Sequence, residues 1–163
     1  MKKEQIKGKE GSLDEKDIKL SQIEKFIASE GYFINTTEGL SMYPMLRNRR
    51  DTIVIYPKTG RLKKYDVVLY RVNDTYILHR IIKVLPDSYV IRGDNRMDKE
   101  YGITDDMIIG VLTELYRDEK KINLNGWKYK FYSRVWNYIF PLRFFYKKTR
   151  TMLGKIKRKI IYR

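Results

Sequence analysis

From Tyr32 to Leu115 the apolar residues come in short runs, and almost every run stops at a turn-forming residue. Thr52-Ile53-Val54-Ile55-Tyr56 is β-branched and closed by Pro57, and Thr59-Gly60 marks a turn. Asp66 to Val72 is a second run, followed by Asn73-Asp74 where a hairpin turn belongs. Thr75 to Val84 returns, Pro86-Asp87-Ser88 turns again, and Ser88 to Ile91 runs toward Gly93. Tyr32-Phe33-Ile34 opens the series, and Asp105 to Leu115 reads as a short turn entering a final strand. Runs of this length and punctuation predict strands. The chain is therefore expected to be mainly β, of α+β type, built on a small antiparallel, partly barrel-like β domain.

Helices are expected at the two ends. Residues 1–11 are polar and are expected to be loose. Ser12-Leu13-Asp14-Glu15 has the spacing of a capping box, with Leu20, Ile23, Phe26 and Ile27 behind it at helical intervals and Gly31 to close. One face of this helix is expected to pack on the domain. The division read from the pattern is a polar segment and helix over 1–31, a β domain over 32–120, and a tail over 121–163. The tail is distinctive in charge. From Trp127 to Arg163 it carries twelve Lys/Arg and no acid, leaving +3 of the net +15 for everything before it. Eleven aromatic residues lie among those charges. Trp136, Ile139, Phe140 and Arg143 follow helical spacing, Pro141 marks a break or a new helix start, and Thr149 to Arg163 reads as a second basic helix interrupted by Gly154.

Composition excludes some chemistry. Without cysteine there is no disulfide framework, zinc-thiolate site or cysteine nucleophile. No segment approaches the roughly 20 apolar residues that span a bilayer. Met1 to Gln5 has charge but no apolar stretch behind it, so neither a signal peptide nor an N-terminal membrane anchor is expected. The expected location is cytoplasmic or peripheral to a membrane.

Three runs carry candidate chemistry. Gly39-Leu40-Ser41-Met42-Tyr43-Pro44 offers a serine on a tight turn, with Gly39 free to take unusual torsions and Pro44 fixing the chain just beyond. Tyr76-Ile77-Leu78-His79-Arg80-Ile81-Ile82 holds the only histidine. Strand alternation puts Ile77, His79 and Ile81 on one face and Leu78, Arg80 and Ile82 on the other. Ile91-Arg92-Gly93-Asp94-Asn95 offers a carboxylate just after a strand. Nucleophile, base and orienting acid are the parts of a serine hydrolase. The acid stays open at this stage: Asp94, Asp98 or Glu100 would serve, and Asp94 would equally suit a turn.

In their order these runs resemble the S24/S26 serine peptidases, the group that contains signal peptidases and self-cleaving LexA-type repressors. Ser41-Met42-Tyr43-Pro44 resembles the Ser-Met-x-Pro nucleophile box. Asp66-Val67-Val68 resembles the strand start before the general-base box. Leu78-His79-Arg80-Ile81 lies where most bacterial enzymes carry Lys-Arg-Val and the endoplasmic-reticulum and SipW-like enzymes carry His-Arg-Val. Gly93-Asp94-Asn95 and Ile108-Ile109-Gly110-Val111 resemble the later boxes. The likeness spans about residues 32–115. It implies the fold of that superfamily and a serine endopeptidase that cleaves a precursor or leader peptide. Ser41 would be the nucleophile, His79 the general base and Asp94 the orienting acid, with the backbone N–H groups of Ser41 and Leu40 holding the oxyanion. No metal or cofactor is called for. Two departures matter. Position 79 is not lysine, and Gly39 stands where signal peptidases often carry a serine that donates to the oxyanion.

The tail implies a partner. Basic, aromatic, amphipathic segments suit an anionic membrane surface, so residues 127–163 are read as a peripheral membrane contact, with nucleic acid the less favoured partner. The competing functions are a non-catalytic membrane- or nucleic-acid-binding module on the same fold and a LexA-like self-cleaving regulator. The LexA-like reading is the less expected, because position 79 is not lysine and an N-terminal region of about 35 residues is expected to be too short for a DNA-binding domain plus linker.

Overall fold

The computed structural model describes residues 15–161, with side chains described from Ile23 to Leu153. Of the expected cap, Ser12, Leu13 and Asp14 lie outside the described residues. Helix α1 (Glu15–Glu30) is followed by strands β1 (Phe33–Thr36), β2 (Asp51–Tyr56), β3 (Val67–Val72), β4 (Thr75–Val84), β5 (Tyr89–Arg92) and β6 (Glu100–Ile103). A single 3-10 turn at Asp105–Met107 leads into β7 (Ile108–Arg117) and β8 (Lys120–Ile122), and helices α2 (Trp127–Tyr138) and α3 (Phe140–Ile161) complete the chain. The strands form one antiparallel sheet in the order β1-β2-β7-β3-β4-β5-β6, with β8 pairing β7. The expected mainly β, α+β architecture is what the chain adopts, and the sheet is not closed.

Two strands were not anticipated, and each has a physical reason. β6 contains Gly102 and is mostly exposed, so it has no apolar run to advertise it. β8 follows a two-residue loop in which Asp118 and Glu119 both take positive φ, at 50° and 64°. That loop is the tight hairpin geometry normally signalled by Asn-Gly. β8 also crosses the boundary expected at 120, and its Ile122 packs on the core.

The core lies on both sides of the sheet, because β3 is buried on both faces. Val67 and Leu69 point into one cluster with Ile27, Met42, Met45, Ile53 and Leu115. Val68 and Tyr70 point into the other with Ile81, Tyr89, Ile91 and Ile103. Fully burying one such aliphatic side chain contributes about 1.5–3 kcal/mol. α1 contributes Ile23 and Ile27 to the first cluster, while Phe26 is half exposed and meets Phe33 edge-on at 6.4 Å. The tail is helical, as its spacing suggested. The break falls at Ile139, Pro141 sits in the first turn of α3, and α3 runs through Gly154 without interruption.

Candidate active site

The serine turn is built from its own backbone. Gly39 adopts φ +88°, a left-handed conformation that glycine takes without strain, and its N–H bonds Asn48 Oδ1 at 2.9 Å. Tyr43 N–H bonds Leu40 O at 3.2 Å and Leu46 N–H bonds Met42 O at 3.0 Å. Met42, Met45 and Leu46 are buried beneath the turn, while Leu40 and Tyr43 stand out of it. Ser41 is therefore held from below by apolar contacts and is itself partly buried. Neither its Oγ nor the N–H groups of Leu40 and Ser41 bond to another group among the described residues.

The Gly93-Asp94-Asn95 turn grips that loop. Asn95 N–H bonds the Ser41 carbonyl at 2.8 Å, and Asn95 Nδ2 bonds the Leu40 carbonyl at 3.1 Å. Gly93 is required by space. A Cβ there would meet the Ser41 carbonyl oxygen at 2.7 Å and His79 Nε2 at 2.8 Å. His79 Nε2 and the backbone of Ser41 thus converge on one point in front of Gly93. Ser41 Oγ and Nε2 do not form a hydrogen bond in this arrangement, and such contacts often tighten only when substrate is bound.

His79 lies on β4 and is 5 % exposed. Its Nδ1 is 2.7 Å from Glu100 Oε1 and 3.1 Å from Tyr70 Oη, and Tyr70 donates its hydroxyl proton to Glu100 Oε2. A carboxylate on Nδ1 fixes the proton there and leaves the lone pair on Nε2, the nitrogen that looks toward Ser41. Burial holds His79 below its ordinary value. The charge and hydrogen bond of Glu100 work in the opposite direction, and Arg96 adds to the lowering. Burial, with the Glu100 contact, pushes the Tyr70 hydroxyl well up, so it stays a neutral donor.

The carboxylate that meets His79 is Glu100; Asp94, the acid expected beside His79, meets Arg80 instead. Asp94 is committed to Arg80 through a two-point contact: Arg80 Nε to Oδ1 at 2.8 Å and Nη2 to Oδ2 at 2.8 Å. Strand parity gives the reason. Arg80 pairs with Arg92 across β4 and β5, so Asp94, two residues further on, falls on the Arg80 face. Ile81 pairs with Ile91, and Ile91 with Glu100, which carries Glu100 to the His79 face. Asp98 is exposed and meets Arg96 at 3.8 Å, not His79.

The Arg80–Asp94 pair is a second polar cluster that sequence reasoning missed. Arg80 Nη1 also reaches Tyr65 O at 3.0 Å, Tyr129 Oη at 3.1 Å and Ser133 Oγ at 3.1 Å. Tyr132 donates to Asp94 Oδ2 at 3.2 Å, and Trp136 Nε1 to the Asp94 carbonyl at 2.9 Å. α2 therefore packs on the β domain through its polar atoms. One signal was legible: an arginine inside the apolar run Ile77 to Ile82 requires a buried acid, and Asp94 lies one strand away.

Two clefts meet at Ser41. One, of about 250 Å³, is lined by Phe33, Met42, Ile55, Leu69, Ile77 and Ser41. It lies between two strand edges without a strand neighbour among the described residues: the outer edge of β1, and β4 before Arg80, where pairing with β5 begins. The other, of about 450 Å³, is polar and includes Leu40, Ser41, Asn95, Asp98 and Lys147. A third cleft, of about 480 Å³, lies apart from Ser41, against Trp127, Tyr129 and Tyr132 of α2. No group of metal-ligating side chains occurs among the described residues. Compared with protein-family models and with curated proteins, the chain matches none.

Proposed function

We propose that this chain is a serine endopeptidase of signal-peptidase-like type that cuts a precursor or leader peptide. One observation carries the reading: the single histidine has a carboxylate on Nδ1 while its unpartnered Nε2 faces the Ser41 turn beside Gly93. In this mechanism Ser41 Oγ attacks the scissile carbonyl and His79 Nε2 takes its proton. The tetrahedral oxyanion falls to the free N–H groups of Ser41 and Leu40, and the carbon–nitrogen bond breaks as His79 returns the proton to the leaving amine. Water then attacks the Ser41 ester, again with His79 as base, and the acid is released. Glu100 stabilises the imidazolium formed in each half, and Tyr70 steadies Glu100. An extended peptide fits the apolar cleft, where the free edges of β1 and β4 offer backbone groups and small apolar side chains can enter between Met42, Leu69 and Ile77.

The second reading is a non-catalytic module on the same fold, favoured by the missing Ser41–His79 hydrogen bond. Cleavage of a panel of secretory and peptide precursors, with a fluorophosphonate as parallel probe, separates the two. Turnover lost by roughly a million-fold in Ser41→Ala, and comparably in His79→Ala, supports the peptidase. A Ser41→Ala variant that still cuts removes it. No cleavage by the folded wild-type chain, with vesicles present, selects the module.

A further inference from the structure

A surface helix ordinarily turns its apolar side inward. α3 does the reverse. Two of its cations face the domain: Arg143 Nη2 bonds the Asp94 carbonyl at 3.0 Å, with the guanidinium 3.5 Å over the Trp136 ring, and Lys147 Nζ reaches the Asn95 carbonyl at 3.4 Å. Phe140 lies under Arg92, but most other apolar residues of α3 face out. Leu142, Phe145, Tyr146, Met152 and Leu153 are 59–72 % exposed. At 3.6 residues per turn they form one stripe, closed by Thr149 and flanked by Lys148 on one side and Arg150 on the other. α2 divides its aromatics instead: Tyr129, Tyr132 and Trp136 turn inward, while Trp127, Phe131 and Tyr138 are 61–87 % exposed.

We propose that α2 and α3 form an interfacial platform that lies on an anionic membrane. An outward apolar stripe with cations on its flanks is the form of an in-plane helix, which sinks about 5–10 Å into the headgroup boundary. The complete absence of Asp and Glu from Trp127 to Arg163 matches acidic headgroups, each nearby Lys or Arg strengthening attachment by roughly five-fold. The same charge opposes a second copy of the chain on this face. A nucleic acid would find Leu142, Met152 and Leu153 where it needs cations. No helix among the described residues is long and apolar enough to cross a bilayer, so attachment is along the surface.

The platform is joined to the serine turn. Arg143 and Lys147 bind the carbonyls of Asp94 and Asn95, Asn95 binds the Ser41 turn, and Lys147 lines the polar cleft with Ser41. Binding through α3 therefore holds that cleft beside the headgroups. Surface binding stands without the peptidase reading; a cutting site held at the bilayer rests on it.

Flotation of the full chain with phosphatidylcholine vesicles, with and without phosphatidylglycerol, tests this. Wild type and Ser41→Ala are expected to float equally, and only with the anionic vesicles. Leu142→Glu with Phe145→Glu is expected to weaken binding roughly 100-fold or more. Lys148→Glu with Arg150→Glu should weaken it roughly 30-fold or more. All four side chains are outward-facing, and circular dichroism will establish that the variants remain folded. Failure of the folded wild type to float overturns the proposal, as does unchanged flotation of the Leu142/Phe145 variant. Self-association abolished by that variant, without vesicle binding, would assign the face to a second copy. Displacement from vesicles by duplex DNA at equal charge would assign it to nucleic acid. Vesicle binding without any precursor cleavage would keep the platform and remove the peptidase.

Discussion

His79 and Arg80 are neighbours on β4, point to opposite faces and each meet a carboxylate, yet the two pairs are built to different ends. Arg80 is fully buried and every nitrogen has a partner: Asp94 on Nε, Asp94 and Met45 Sδ on Nη2, and Tyr65, Tyr129 and Ser133 on Nη1. His79 is equally sheltered but only Nδ1 is engaged. Burial alone would lower both cations. For Arg80 the hydrogen bonds and charge of Asp94 prevail and its value is raised, so it remains charged. For His79 burial prevails over Glu100 and its value is lowered, so it remains a neutral base. A saturated polar cluster holds elements together, here α2 against β4. A histidine with one nitrogen fixed and the other unfilled is ready to accept a proton.

The largest effect should come from the carboxylate on the histidine face. Glu100→Gln keeps the size of the side chain but no longer stabilises the imidazolium, and peptide cleavage should fall about 10³–10⁴-fold in kcat. Chemical denaturation should show little accompanying loss of stability, since Glu100 is only partly buried. On the other face the readouts exchange. Asp94→Ala strands the Arg80 charge in the core and should cost about 3–5 kcal/mol in the same denaturation experiment. An Asp94→Asn variant that folds with wild-type stability but loses cleavage like Glu100→Gln would break the distinction between the two pairs.

Parity explains how much of this was legible. The strands from β2 to β5 and β7 have apolar runs and turn residues, so their order and the opposed faces of His79 and Arg80 could be read directly. The serine turn and the Gly-Asp-Asn turn were recognisable as pieces. Their joining was not, because it depends on bonds from the Asn95 N–H to the Ser41 carbonyl and from Asn95 Nδ2 to the Leu40 carbonyl, which strand periodicity does not encode. The choice of acid failed for a related reason. Glu100 reaches His79 only because β6 pairs with β5, and β6 is a four-residue, largely exposed strand with no periodicity to reveal it. Tyr70 is separated from His79 by nine residues but sits beside it across the β3–β4 hairpin, and in sequence it looked like one more core aromatic. The tail was read as basic, aromatic, amphipathic segments broken at Pro141, whereas its aromatics divide between an inward set and an outward set.

A smaller effect sharpens the histidine side of the comparison. In the proposed mechanism cleavage requires neutral His79, so the rate should fall as pH drops through its folded value, which lies below the ordinary 6.5. Stability should follow the same sign. Between the folded value and 6.5 the unfolded chain binds more protons at this residue, so its contribution to stability rises with pH across that window and levels off above it. Tyr70→Phe removes the hydroxyl that donates to Glu100 Oε2. The carboxylate then has more charge available for the imidazolium, so the acid limb of the pH–rate profile should move to higher pH. Loss of the hydrogen bond that steadies Glu100 should also reduce the plateau rate by roughly ten-fold. A plateau that falls while the acid limb stays fixed would mean that Tyr70 orients Glu100 without tuning the charge felt by His79.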